Sequence, residues 1–403
     1  MKTARPSAGE STTPGTMAAK PERLGSVDLL RGMVMALMAL DHVRDYFTDA
    51  RFYPLDLTQT NILLYMTRWI THFCAPVFVF LAGTGAFLSL TRGKTIPELS
   101  RFLFTRGLWL VFIELTVVRF GWLFNIDYTL AIGQVIWAIG WSMVALAVLI
   151  RFPVKVATIF GLLMIALHNL FDDVTPDQLG ILGWPWQILH AGGPINYMQG
   201  YSFLVAYPLI PWIGVMAVGY GFGTILIKEA SARRKTLLRL GLAITAGFIL
   251  IRATNLYGDP NQWSQQKDVV FTAFDFINCE KYPPSLLYLM ITLGPAIAVL
   301  PLLERARGWM AQFFIVFGRV PMFFYIIHIP LIHGLALLAA YLTGYDTGFM
   351  FGNVPPWEWP PGYGFGLPVV YVVWGGVVLA LYPVCKWFAE VKKRRKDVWL
   401  SYL

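Results

Sequence analysis

Residues 26–47 read SVDLLRGMVMALMALDHVRDYF, and this stretch decides what kind of molecule the chain is. Its middle, Met33 to Leu40, is eight apolar residues without a break, as in a membrane helix. Yet Asp28 and Arg31 stand near one end, and Asp41, His42, Arg44 and Asp45 near the other. A charge at membrane depth is costly unless it is paired or faces a wet cavity, so such residues read as functional. Residues 28, 31, 35, 38, 42 and 45 follow the helical period and share one face. Arg31 and His42 are eleven apart, three turns, or about 16 Å along the axis. The helix therefore presents a cation near one membrane face and an imidazole near the other. It predicts a single cavity through the bundle, lined by both.

Working outward, the rest of the chain supports this. Its 403 residues are 57% hydrophobic and 15% aromatic, with a mean hydropathy of +0.58, far more apolar surface than a soluble domain buries. Apolar runs long enough to cross a bilayer fall near residues 26–47, 62–90, 101–123, 128–150, 153–171, 203–227, 235–254, 284–303, 311–342 and 367–389. This predicts an all-α polytopic membrane protein of about ten transmembrane helices. Pro76, Pro321 and Pro330 mark kinks in the two longest segments. With the N-terminus inside, 22 of the 32 Lys and Arg residues fall on the inner side and three on the outer. That asymmetry places both termini in the cytoplasm of a multi-pass protein in the cell (inner) membrane. The net charge of +9 then follows from basic inner loops, and no nucleic-acid partner is implied. Three scattered cysteines suit neither a disulfide framework nor a metal site, so no metal is expected. Residues 1–22 are Ser-, Thr-, Pro- and Ala-rich and read as a disordered tail. Residues 23–403 read as one transmembrane domain.

Counting about 1.5 Å per residue puts His42, His72 and His328 in the outer half of the membrane, and Arg31, Arg106 and Arg319 near the inner side. A basic inner mouth and an imidazole-lined outer half suit a ligand anionic at one end and reactive at the other. Acyl-coenzyme A is such a ligand. Arginines would hold its phosphates, and a base with a near-neutral pKa would stand by its thioester. The candidate base or nucleophile is His42, oriented by Asp45 or Asp41. His72 is the alternate, His72 and His328 line the acceptor side, and Lys281 and Tyr282, before the segment near 284–303, contact the acceptor. Plainer readings stand beside these. They are a buried ion network around His42, interhelical hydrogen bonds for His72 and His328, snorkelling arginines, an interfacial tryptophan belt and an interfacial His168. Glu114 and Arg119 do not share a helical face, so each needs a partner elsewhere.

Several blocks carry a family resemblance: the first helix, THFCAPVFVFLAGTGAFLSL (71–90), YPLIPWIGVMAVGYGFG (207–223), KYPPSLLYLMITLG (281–294), FGRVPMFFYIIHIPLIH (317–333) and the ending WFAEVKKRRKDVWLSYL. The chain resembles bacterial membrane proteins grouped with the catalytic domain of heparan-alpha-glucosaminide N-acetyltransferase. Its first helix is also similar to membrane acyltransferases of the acyltransferase-3 type, whose Arg-x10-His element corresponds to Arg31 and His42. The resemblance implies transfer of an acetyl group from cytoplasmic acetyl-coenzyme A, a co-substrate, to a sugar or other glycan acceptor across the lipid bilayer; a homodimer is a separate expectation. The sequence departs from the animal pattern. Residues 49–62, DARFYPLDLTQTNI, have no histidine where the animal enzyme carries its catalytic one. His42 and His72 stand where that pattern has an asparagine and an aspartate. The alternative reading is a transporter or flippase for an anionic or lipid-linked substrate, whose charged, broken spans would look the same. A heme- or quinone-bearing protein is a third.

Overall fold

A computed structural model describes residues 24–395 and 397–403; the predicted N-terminal tail lies outside them. The chain is mostly helical. Helix α1 is Gly25–Phe47, and α2 is Ile62–Thr91, a long helix tightened into a 3-10 turn at Ile70–Phe73, just before Pro76. Helix α3 (Ile96–Ile113) opens with Thr95 and Glu98 capping each other, and continues through a π turn, Glu114–Val118, into Arg119–Leu123. Then come α4 (Val135–Leu149), α5 (Val154–Phe171), α6 (Leu209–Leu226) and α7 (Ala230–Thr254). They are followed by α8 (Val269–Ile277), α9 (Leu286–Leu303), α10 (Trp309–Arg319), α11 (Pro321–Leu342) and α12 (Leu367–Arg394).

Among the described residues, seven helices are long and apolar enough to cross a membrane: α2, α5, α6, α7, α9, α11 and α12. Their burial sorts them into layers. Only 22% of the apolar windows of α5, α7 and α12 is buried, against 72% for α6 and 67% for α2. The outer helices show leucines and valines such as Leu162, Leu250, Val372 and Leu379 outward, a surface that water would penalise and lipid accepts. At the centre lies α1, packed against α2, α9, α10, α11 and α12. Its charges and those of α3 keep both off the apolar set, and α4 has only 15 residues.

The predicted 311–342 segment is two helices. Arg319 ends α10 and Pro321 opens α11, because proline lacks the N–H that would continue the ladder but suits the first turn. Glycine sets how close α10 comes to α1. A Cβ on Gly32 would lie 1.8 Å from the Phe314 carbonyl oxygen, and one on Gly318 1.8 Å from that of Asp28, so the two backbones touch.

The all-α expectation needs one correction. Leu130–Gly133 (β1), Gly193–Met198 (β2) and Tyr201–Val205 (β3) form a sheet of order β1-β3-β2, with β3 parallel to β1 and antiparallel to β2. Gly200, at φ +77°, makes the tight turn between β2 and β3. The segments expected to begin at 128 and 203 therefore start as strands, and their helices begin at Val135 and Leu209. Apolar strand residues running into an apolar helix give no break in hydropathy. The sheet and the long loops gather at one end of the bundle, and the short turns at 92–95 and 304–308 lie at the other.

Candidate functional site

From the loop-rich end a cavity of about 540 Å³ enters the bundle. Asp41, His42, Arg44 and Asp45 of α1 form one wall, joined by Arg68, Trp122, Gln134, Tyr207, Lys281 and Tyr282. Helix α8 fixes the last pair. Tyr65 stacks on Phe274 at 4.1 Å and donates to its carbonyl, and Trp69 donates to the Ile277 carbonyl at 3.1 Å. The short linker to α9 then brings Lys281 and Tyr282 into the cavity wall.

The aspartates are committed elsewhere. Arg68 donates to both oxygens of Asp41, at 2.9 and 2.8 Å, Thr71 donates to one at 2.9 Å, and Arg44 Nη1 pairs with it at 2.8 Å. Arg44 Nη2 holds Asp45 at 2.5 Å. Neither carboxylate orients His42, which corrects that expectation: oppositely charged neighbours one turn away and on α2 outcompete a neutral ring. The partner of His42 is His328 of α11, whose Nε2 lies 2.7 Å from His42 Nδ1.

This pairing fixes the tautomers. His328 Nδ1 is 2.7 Å from the Tyr325 carbonyl and 3.1 Å from that of Phe324. A carbonyl only accepts, so His328 Nδ1 carries the proton and Nε2 is an acceptor. His42 Nδ1 must then donate to it, leaving His42 Nε2 as the ring's bare basic atom, on a ring that lines the cavity. His328 is fully buried behind His42 and lines neither cavity. His72, also buried, is not in the walls either. Its backbone carbonyl accepts from Tyr288 at 2.9 Å.

A second cavity, about 310 Å³, opens toward the other end. Arg31, Lys94 and Arg106 line it among apolar side chains, with no carboxylate among the described residues of its wall. Arg31 also pairs with Asp28 at 3.4 Å, and Arg106 donates to the Ser401 carbonyl at 2.5 Å. Arg319 is exposed at the end of α10 and does not line it. Lys94, in the turn before α3, was not singled out from the sequence, because a lysine beside a membrane face looks like any other.

The single predicted pore is thus two cavities with no lining residue in common. The ring of Tyr325, in the second cavity, lies 6.4 Å from that of His42, in the first. Trp122 stands edge-on to His42 at 4.9 Å. Glu114 secures this partition: from the π turn its Oε1 accepts the Gln134 N–H at 3.2 Å, capping the start of α4. Arg119 finds its partners in the carbonyls of Asn125, Asp127 and Leu130 and the side chain of Asn353. π turns gather at functional sites, but nothing in the residue pattern of α3 announces one.

Residues 23–254 match the heparan-alpha-glucosaminide N-acetyltransferase catalytic family. The chain belongs to this family. The matched region carries α1 with Arg31, Asp41 and His42, together with Arg68, Lys94 and Arg106; Lys281, Tyr325 and His328 lie beyond it. No curated protein matches the chain by sequence. Membership of an acetyltransferase family and the lipid-facing helices make it a membrane protein of acetyltransferase type.

Proposed function

We propose that the protein transfers the acetyl group of acetyl-coenzyme A from the cytoplasmic side to an amine or hydroxyl of a sugar acceptor on the outer side of the cell membrane. One observation carries the reading: a base of fixed tautomer, His42, stands where a cavity lined by Arg31, Lys94 and Arg106 and a polar cavity approach from opposite ends of one helix. In this reading α1, α2, α3, α4, α5, α6, α7, α9, the broken pair α10–α11, and α12 make ten crossings, with both termini inside. Arg31, Lys94 and Arg106 hold the phosphates of the donor, and its acyl arm runs along the apolar wall toward Tyr325. The acceptor enters the outer cavity, and His42 Nε2 takes a proton from its nucleophilic nitrogen or oxygen. That atom bonds to the thioester carbonyl carbon, the C–S bond breaks, and the thiolate leaves and is protonated. Four cations, Arg44, Arg51, Arg68 and Lys281, against two carboxylates around the outer cavity favour the oxyanion formed on the way. Tyr325 must swing aside for the thioester to reach His42.

The test is radiolabelled acetyl-coenzyme A with glucosamine as acceptor, in vesicles of both orientations. Acetyl-glucosamine and free thiol appear together only when donor and acceptor are on opposite sides. Two cavities split by a partition also fit a transporter, in which case label crosses the membrane with its thioester intact, and the enzyme reading fails.

A further inference from the structure

Away from both cavities, three side chains converge at the loop-rich end of α5. His168 stands near the end of the helix, Asp172 follows it by one turn, and His190 comes from the short helical segment after Trp186. One ligand atom from each lies within 4.8 Å of the others. We propose that His168 Nδ1, His190 Nε2 and an oxygen of Asp172 bind a divalent first-row metal ion of the zinc class, which ties the wall of the outer cavity to α5.

The distances suit such an ion. Donors on a tetrahedral zinc at about 2.05 Å stand about 3.3 Å apart; His168 Nδ1 and His190 Nε2 are 3.3 Å apart, and His190 Nε2 and Asp172 Oδ1 are 3.7 Å apart. Two histidines and a carboxylate, leaving an open position, are a ligand set that zinc accepts. Both histidines are buried, while Asp172 is 18% exposed, which gives the ion a route in.

The surroundings orient all three groups. Asn169 donates to Asp172 Oδ2 at 2.8 Å, which leaves Oδ1 facing the histidines, and Asn169 Oδ1 accepts the Leu286 N–H at 2.9 Å. Trp186 stacks on His190, 4.8 Å between centroids at 15°, and its indole donates to the Val174 carbonyl at 2.7 Å. The Pro284 carbonyl contacts the His168 ring. Outer partners of this kind fix ring orientation around metals. Asp173 and Asp259 add negative charge near Asp172, and burial keeps the His190 imidazole below its ordinary pKa, in the neutral form that binds metal. With no ion, the His190 Nε2 proton is shared between the His168 carbonyl, at 3.0 Å, and His168 Nδ1; metal binding moves that proton to Nδ1 of His190. The residues directly after His190 are Ala191, Gly192 and Gly193, all in the outer cavity wall. The ion would close the 22-residue gap between His168 and His190 and hold that wall in place.

The inference is independent of acetyl transfer, so its test reads metal alone. The full chain is purified in detergent with its tag removed, stripped with EDTA, and titrated with ZnCl2 by calorimetry and with CoCl2 by visible absorption. Expected are one Zn²⁺ per chain, d–d bands of four- or five-coordinate Co²⁺, and a melting temperature that rises with added Zn²⁺. In Asp172→Asn, which keeps the side-chain shape, affinity falls at least about tenfold, and in His190→Gln further still. Equal Zn²⁺ affinity in wild type and Asp172→Asn would overturn the site. So would a wild-type melting temperature that does not change between stripped and reloaded protein, a reading that needs no variant to fold.

Discussion

Replacing His328 with phenylalanine tests the proposal that His42 is the base. The substitution keeps a ring of similar volume against Phe324, whose centroid is 5.1 Å away, and removes the Nε2 that accepts from His42 Nδ1 at 2.7 Å. A buried donor left without its acceptor costs about 1–3 kcal/mol. Here that penalty falls on the one His42 tautomer that offers a basic Nε2 to the cavity. At 1.36 kcal/mol per tenfold, kcat should fall roughly 5- to 150-fold. The KM for acetyl-coenzyme A should stay within about twofold, because His328 lines neither cavity. His42→Ala removes the base itself and should cost about 10²- to 10⁴-fold. The decisive comparison is the double variant. If His328 acts only through His42, removing both costs no more than removing His42. Rates come from radiolabelled acetyl transfer to glucosamine, at several donor concentrations. A double variant slower than His42→Ala by the full His328→Phe factor would show that the two histidines act separately, and the fixed-tautomer argument would be refuted.

Arg106→Gln should weaken binding of coenzyme A about 10-fold or more, since a hydrogen bond to a charged group contributes about 1.5–3 kcal/mol. Arg319→Gln should leave it within twofold; calorimetry on the detergent-solubilised protein distinguishes them. Arg68→Met leaves Arg44 alone against the carboxylates of Asp41 and Asp45 and should lower the melting temperature more than the pair Arg68→Met/Asp41→Asn does, because a buried charge in excess costs more than a balanced pair. Gly318→Val should reduce the yield of folded protein, as its Cβ would lie 1.8 Å from the Asp28 carbonyl oxygen; size-exclusion profiles report it, and an unchanged profile would mean that α1 and α10 can separate without loss.

What could be read in advance follows from which forces leave a trace in one dimension. The lipid-facing helices did, because twenty apolar residues in a row have few other uses. So did the broken helix at Pro321, since proline acts locally. The placement of Arg31 and His42 on one face of α1 was also legible, being a matter of period. The strands were not: β1 pairs with β3 only in the folded chain, about 70 residues later (Leu130 against Ser202), and hydropathy joins β1 and β3 to the helices that follow them. Nor was the partner of His42. Asp41 and Asp45 are near in sequence, but Arg44 and Arg68 hold them. His328, 286 residues away, arrives only through the packing of α11 on α1. His190 was missed for the same reason, since its meaning depends on His168, 22 residues earlier.

The partition changes what an acetyl transfer through this bundle requires. A continuous pore would place donor and acceptor in one solvent column, where water would compete with the acceptor for the thioester. In the proposed transfer, two cavities closed by Tyr325 and Trp122 would instead keep the donor against apolar walls until the barrier opens, and a dry site strengthens every charge acting on the oxyanion. The rings that separate the cavities stand beside His42, their centroids 4.9 and 6.4 Å from its own, so in this proposal opening the route brings the donor directly to the ring that lines the outer cavity. Tyr325→Ala should therefore raise the acceptor-independent hydrolysis of acetyl-coenzyme A relative to transfer. If hydrolysis stays at the wild-type ratio in that variant, the rings are packing and not a barrier.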